Sequence, residues 1–206
     1  TEKKKNEVLS TISGFLLSNK NLIIEQNKKD IDFGISKNLS ESMLDRLYMD
    51  ESRLNDVIAS LEKIIALPDP VGTVIQKISR PNGLIIKKVR TPIGVIGIIF
   101  ESRPNVFVDA GALCFKSGNA SVLRCGSESY NTSLALESCF ISGFKKAGIP
   151  EFCTQLIPTR DRAAVEEMLE MNEFFDVIVP RGGKGLVGLV QEKARVPIFA
   201  HLEGIV

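Results

Sequence analysis

From Pro92 onward, short runs of apolar, β-prone residues alternate with longer stretches of helical character, and this alternation restricts the fold more than any other feature of the chain. The apolar runs cover residues 94–100, 120–124, 154–157, 176–179 and 197–200, and the helical stretches between them cover about 105–116, 127–147, 161–170 and 184–193. Five strands alternating with four helices predict an α/β fold with a parallel sheet covered by helices on both faces, because parallel neighbours need a crossover and the crossover helices bury the sheet. Doubly wound sheets of this kind bind ligands beyond the carboxyl ends of their strands. The loops after Phe100, Arg124, Val179 and Ala200 are therefore where chemistry is to be sought.

The first 67 residues carry a helical period instead. Val8, Ile12, Phe15 and Leu16 fit one apolar stripe, and Leu54, Val57, Ile58, Leu61, Ile64 and Ile65 fit another. Asp50 is placed to N-cap the second stretch. Leu67-Pro68-Asp69-Pro70 stops it, since each proline removes a donor and restricts the residue before it. At Val74 the pattern turns to β: residues 74–78, a Pro81-Asn82-Gly83 turn and residues 84–89 read as a hairpin, with Lys77, Lys87 and Lys88 suiting exposed positions outside the main core. The chain thus divides into N-terminal helices over 1–73, a hairpin over 74–91 and an α/β unit over 92–206.

Composition bears on scale and partners. With 206 residues, 44% of them hydrophobic, the chain can bury one sizeable core. A balance of 26 basic against 25 acidic residues gives no electrostatic reason to expect nucleic acid or an anionic membrane. No apolar run approaches the roughly 18 to 20 residues that span a bilayer. A cytoplasmic protein with a small ligand, or another protein, as its partner is the expectation. Cys114, Cys125, Cys139 and Cys153 form no C-x-x-C pair, and His201 is the one imidazole, so neither a metal site nor a disulfide framework is expected. Cys114 and Cys139 lie in predicted helices among apolar residues, Cys153 near a strand start and Cys125 in a candidate site loop; free cysteines are mostly small core residues, and none of these has a local case as a nucleophile.

Three loops carry residues suited to chemistry, each with a plainer alternative. Pro180-Arg181-Gly182-Gly183-Lys184-Gly185 follows a strand and opens a helix, and Gly183, Gly185 and Gly188 fit G-x-G-x-x-G; glycines let a backbone approach a phosphate, and free N–H groups at a helix start favour an anion. A tight turn requiring glycine for positive φ explains the same residues. Glu203, about 20 residues on, stands where such a fingerprint places a ribose-binding acid. Phe100-Glu101-Ser102-Arg103-Pro104-Asn105 ends the first strand and opens a helix, where an amide can donate to an oxyanion and an arginine can hold a phosphate. Alternatively Asn105 or Ser102 caps the helix and Arg103 is a solvated charge. After the second strand, Arg124 can contact a ribose or its 2′-phosphate and Ser127 can act as ligand or cap, or the pair is a surface arginine beside an ordinary cap.

These blocks, together with Leu44-Asp45-Arg46-Leu47, Ala66-Leu67-Pro68-Asp69-Pro70-Val71-Gly72 and Ala200-His201-Leu202-Glu203-Gly204, resemble the gamma-glutamyl phosphate reductase family of the aldehyde dehydrogenase superfamily. The resemblance implies N-terminal helices, an oligomerisation hairpin and a Rossmann-like cofactor domain, in a homo-oligomer. It implies NADPH-dependent reduction of L-glutamate 5-phosphate to the 5-semialdehyde through a cysteine thioester. Asn105 matches the oxyanion-stabilising asparagine; Phe100, Glu101 and Ser102 match the strand end along the cofactor. Arg124 and the loop of Gly182, Gly183, Lys184 and Gly185 match cofactor contacts, the neighbouring Ser127 and Arg181 are expected to join them, and Arg103 is expected on a substrate or cofactor phosphate. His201 stands near the place of the glutamate base of aldehyde-oxidising relatives. The family's nucleophilic cysteine lies downstream of Val206, so the chain is expected to lack the catalytic domain and to be inactive alone. Another NAD-dependent aldehyde dehydrogenase and a non-catalytic interaction module stand as alternatives.

Overall fold

In a computed structural model that describes residues 1–200, the helical period at the front of the chain becomes four helices: α1 (Glu2–Ser18), α2 (Lys20–Ser36), α3 (Glu41–Leu47) and α4 (Glu51–Ala66). Side-chain oxygens of Thr1, Ser40 and Asp50 cap α1, α3 and α4 by accepting from backbone N–H groups that have no partner inside the helix, the Asp50 bond from the Arg53 N–H being 2.8 Å. The prolines end α4 where expected, and Leu54, Val57, Leu61 and Ile64 form its buried stripe. No helix among the described residues is long and apolar enough to cross a membrane.

The hairpin follows as β1 (Val74–Ser79) and β2 (Ile85–Val89), paired antiparallel with Lys77 opposite Lys87. Both strands are exposed over almost their whole length. The α/β unit then runs β3 (Val95–Phe100), α5 (Asn105–Lys116), β4 (Ala120–Cys125), α6 (Tyr130–Lys146), β5 (Thr154–Leu156), α7 (Ala163–Glu170), β6 (Val177–Arg181) and α8 (Lys184–Lys193). The four strands β3–β6 make one parallel sheet in the order β5-β4-β3-β6. The fifth run expected at 197–200 is reduced to a single parallel bridge between Ile198 and Ile178 on the outer side of β6, with Ile178 N–H donating to Pro197 at 2.8 Å and Phe199 N–H to Ile178 at 2.9 Å. Pro197 has no N–H of its own to give the ladder.

Alternation along β3 sends neighbouring side chains to opposite faces. Ile98 and Phe100 join α5 and α6, and beyond them α1, α2 and α4, in a core centred on Phe107, Phe140 and Phe144. The Phe107 and Phe140 rings meet edge to face at 5.4 Å. Ile99 faces the other way, into a smaller core with Met168, Leu169, Ile178 and Val190 under α7 and α8. The N-terminal helices therefore share one core with the α/β unit. Two polar side chains of α2 are buried in this seam. Asp30 accepts from Asn131 N–H at 3.1 Å and Nδ2 at 2.9 Å, and from Thr132 N–H at 2.7 Å and Oγ1 at 2.6 Å, at the start of α6. Asn27 donates to Leu47 O and accepts from Met49 N–H, both at 2.8 Å, fixing the turn between α3 and α4.

Burial raises the pKa of Asp30, and the hydrogen bonds from Thr132 and Asn131 offset that only in part. A folded value above the unfolded one means that the native protein binds more protons, so this group's contribution to stability falls as pH rises from about 3.9 through its folded value. A carbon-detected NMR titration should place the Asp30 midpoint above about 3.9. A second test concerns the contact of α1 with α6, where a Cβ on Gly143 would lie 2.3 Å from Ile12 Cγ1 and 3.3 Å from its backbone. Gly143→Ala is expected to destabilise the fold by about 1–3 kcal/mol through overpacking, read as a lower urea midpoint.

Candidate functional site

In the order β5-β4-β3-β6, α5 carries the chain from β3 to one side while β6 lies on the other, so the connections diverge at the carboxyl ends of β3 and β6. A crevice opens at such a switch point in doubly wound sheets. Here it has a volume of about 570 Å³ and is lined by Glu101, Ser102 and Arg103 after β3, by Arg181, Gly182 and Gly183 at the end of β6, and by Arg46 of α3. The two loops are tied together. Phe100 pairs with Arg181, and the next amide, Glu101 N–H, donates to Arg181 O at 3.2 Å.

The glycine loop needs its glycine at 182, where a Cβ would stand 2.4 Å from Glu101 Oε2 and 2.8 Å from Leu186 Cδ2. Gly183 is the N-cap of α8, and its N–H donates to Glu101 Oε2 at 2.9 Å. A carboxylate oxygen thus already sits on an amide at the start of α8, which shows that this turn accepts an anionic oxygen. Gly182 and Gly183 both have negative-φ or extended backbone, so close approach explains the glycine at 182 where positive φ does not. Lys184 and Gly185 lie exposed in the first turn of α8, outside the lining of the crevice.

Ser102 is 3% exposed and holds φ at 42°, a backbone conformation that costs a non-glycine residue about 1 kcal/mol or more. Glu128, in the short 3-10 turn after β4, maintains it: one carboxylate oxygen accepts from Ser102 N–H at 2.7 Å and from Ser102 Oγ at 2.8 Å. The loop after β4 therefore supports the β3 loop from beside the crevice.

Asn105 opens α5 and does not cap it; neither does Ser102, since the cap position is Pro104 and no side chain bonds there. Its Nδ2 donates to Asp109 Oδ2 at 3.2 Å, and Asp109 Oδ1 accepts from Ser60 Oγ of α4 at 2.9 Å. The amide belongs to a second cavity, of about 350 Å³, adjoining the first through Arg46, which lines both.

The other residues picked out in the sequence lie elsewhere. Phe100 is fully buried in the main core. Arg124 is 7% exposed and lines neither cavity: its guanidinium donates to Cys125 O, to Arg160 O at 3.2 Å and to Asp161 O at 3.1 Å, fastening the loop after β5. Ser127 begins the 3-10 turn and lines neither cavity. His201 and Glu203 lie outside the described residues. Burial pushes the Cys114 and Cys139 thiols up to about 11 and raises those of Cys125 and Cys153, so all four are protonated at neutral pH and poor nucleophiles. Sequence reasoning missed Glu128, Asp109 and Asp56 as site neighbours, and gave Arg46 no role beyond its place in a family-like block.

No protein-family model matches the chain. The chain is 52% identical over 202 residues to a gamma-glutamyl phosphate reductase of Rhizobium johnstonii, a match covering 98% of this chain and 47% of that protein. Among solved structures, gamma-glutamyl phosphate reductase of Thermotoga maritima superposes with a TM-score of 0.92 at 39% identity, over 96% of this chain and 48% of that one. An acetylating aldehyde dehydrogenase of Geobacillus thermoglucosidasius shares the fold, with a TM-score of 0.68 at 17% identity over 97% of this chain and 41% of that one. The chain spans about half the length of the relatives it matches.

Glu128→Ala leaves the buried Ser102 N–H without its acceptor. The expected cost is about 1–3 kcal/mol, read as a lower denaturant midpoint with an unchanged slope.

Proposed function

We propose that this chain, 52% identical over 98% of its length to a gamma-glutamyl phosphate reductase, forms the NADPH-binding part of a cytoplasmic enzyme of proline biosynthesis, in the aldehyde dehydrogenase superfamily, that reduces L-glutamate 5-phosphate to L-glutamate 5-semialdehyde, releasing phosphate. The observation that carries the proposal is the junction at Arg46: the crevice between the β3 and β6 loops adjoins the cavity that holds the Asn105 amide. A cofactor in the first and a substrate in the second would meet at that junction.

The crevice suits a phosphorylated nucleotide. Arg103 and Arg181 bring two guanidinium groups to its lining, and beside Gly182, where the Glu101 carboxylate approaches closely, the Gly183 amide already serves an anionic oxygen. Glu101 and Ser102 shape its floor, held by Gly183 and Glu128. Arg124 and Ser127 stand outside its lining: Arg124 fastens the loop after β5, and Ser127 begins the 3-10 turn whose Glu128 holds Ser102. NADPH, when bound, supplies the hydride. Asn105 has one amide N–H engaged by Asp109, leaving the other to stabilise the oxyanion that forms as the substrate carbonyl is attacked. The attacking thiolate comes from a cysteine other than the four present, whose thiols are held protonated. The apolar residues exposed on the hairpin, Val74, Ile75, Ile85, Ile86 and Val89, serve a homo-oligomer contact.

In the enzyme carrying this chain, Asn105→Ala should lower kcat about 10²- to 10³-fold with little change in the KM for NADPH, measured by the loss of NADPH absorbance. An effect confined to KM would overturn the oxyanion role. Arg103→Ala should raise the KM of one phosphate-bearing ligand, and unchanged constants for both would remove Arg103 from the site.

A further inference from the structure

The second cavity is walled by three helices whose charged residues share its lining at helical spacing. α4 presents Arg53, Asp56 and Ser60 at intervals of three and four residues, α5 presents Asn105 and Asp109 four apart, and α3 adds Arg46. Most of these groups already have partners. Arg53 donates to Asp45 Oδ1 at 2.6 Å and to Tyr48 O at 3.1 Å, and stacks on the Tyr48 ring at 5.4 Å. Asp109 holds Ser60 with one oxygen and Asn105 with the other. Among the described residues, Arg46 and Asp56 have no hydrogen-bond or ion-pair partner.

One uncommitted cation and one uncommitted anion, facing one space of about 350 Å³ beside a positioned amide, fit a particular kind of ligand. We propose that this cavity recognises the α-amino and α-carboxylate groups of an amino-acid substrate, Asp56 accepting from the ammonium and Arg46 donating to the carboxylate. An uncharged aldehyde would leave both side chains unanswered, and a head group carrying only negative charge would be repelled by Asp56. A zwitterion satisfies both, and its side chain then lies in the same space as the Asn105 amide, where the reacting carbon must stand. The inference rests on the reading above that the chain serves a reductase of glutamyl phosphate, and it names the residues that select an amino acid there.

The test uses the enzyme carrying this chain, run in reverse with NADP⁺ and inorganic phosphate on L-glutamate 5-semialdehyde and on 5-oxopentanoate, the same aldehyde without its amino group. The native enzyme is expected to favour the amino aldehyde in kcat/KM by about tenfold or more, the scale of one charge-assisted hydrogen bond. Asp56→Asn should bring that ratio close to one by lowering efficiency on the amino aldehyde alone. Arg46→Gln should lower efficiency on both through KM. Equal use of the two aldehydes by the native enzyme, or a preference that Asp56→Asn leaves intact, overturns the proposal. Calorimetric titration of the same proteins with L-glutamate and with glutarate keeps this separate from the proposed reaction. L-Glutamate bound more tightly than glutarate, with the difference lost in Asp56→Asn, supports the site even where no turnover occurs; equal binding, or binding of neither, overturns it. Absence of both NADPH binding and turnover counts against the proposed reaction alone.

Discussion

The buried carboxylate of Asp30 joins the N-terminal helices to the α/β unit, and the geometry of both cavities follows from that joint. A charge withdrawn from water is tolerated only when donors surround it, and the start of α6 provides two backbone N–H groups, a hydroxyl and an amide. Thr132 extends the network by accepting from Asn27 at 3.2 Å, and Asn27 in turn clamps the backbone at Leu47 and Met49. The turn so clamped carries Arg46 and Tyr48 at the mouths of the cavities. The backbone that carries Arg46 at the end of α3 is thereby fixed beside strand ends that lie more than fifty positions further along the chain.

The parallel sheet contributes the complementary half of the arrangement. Its strand order sets the β3 and β6 loops side by side, and the alternation of buried faces along β3 brings α5 and α8 to opposite sides of the crevice between them. Close packing on the α7 side depends on Gly97, where a Cβ would come within 3.0 Å of Ile178 Cγ1 and 3.2 Å of the Phe175 ring. The unfavourable backbone of Ser102 persists because Glu128 grips it twice and the surrounding core leaves no alternative.

Much of this could be read from residue order. The alternation after Pro92 predicts the parallel sheet, the Asp50 cap and the Pro68 and Pro70 stop bound α4, and the loops after Phe100 and Val179 stand out as strand ends that open helices. What could not be read was which loops would meet, because strand order is a property of the assembled sheet. Arg124 illustrates the limit. A cation at the end of a strand looks like a ligand contact, yet its Nη2 donates to carbonyls of a loop 36 and 37 positions away and its Nη1 to the carbonyl of Cys125. Ser60 and Asp109, 49 apart, and Ser102 and Glu128, 26 apart, carry no local signal of their pairing. The run at 197–200 had the composition of a strand, but composition does not reveal that only Ile198 finds a bridging partner.

The Glu101 carboxylate on the Gly183 amide has an implication for traffic through the crevice. An amide that is already satisfied from within offers an incoming phosphate a substitution in place of an empty berth: one oxygen leaves as another arrives, and the net gain is the difference between them. The same tethered group stands ready to reclaim its donor when the guest departs. Tight residence and easy exit pull against each other in any nucleotide site, and a resident carboxylate a few ångströms away shifts that balance toward exit.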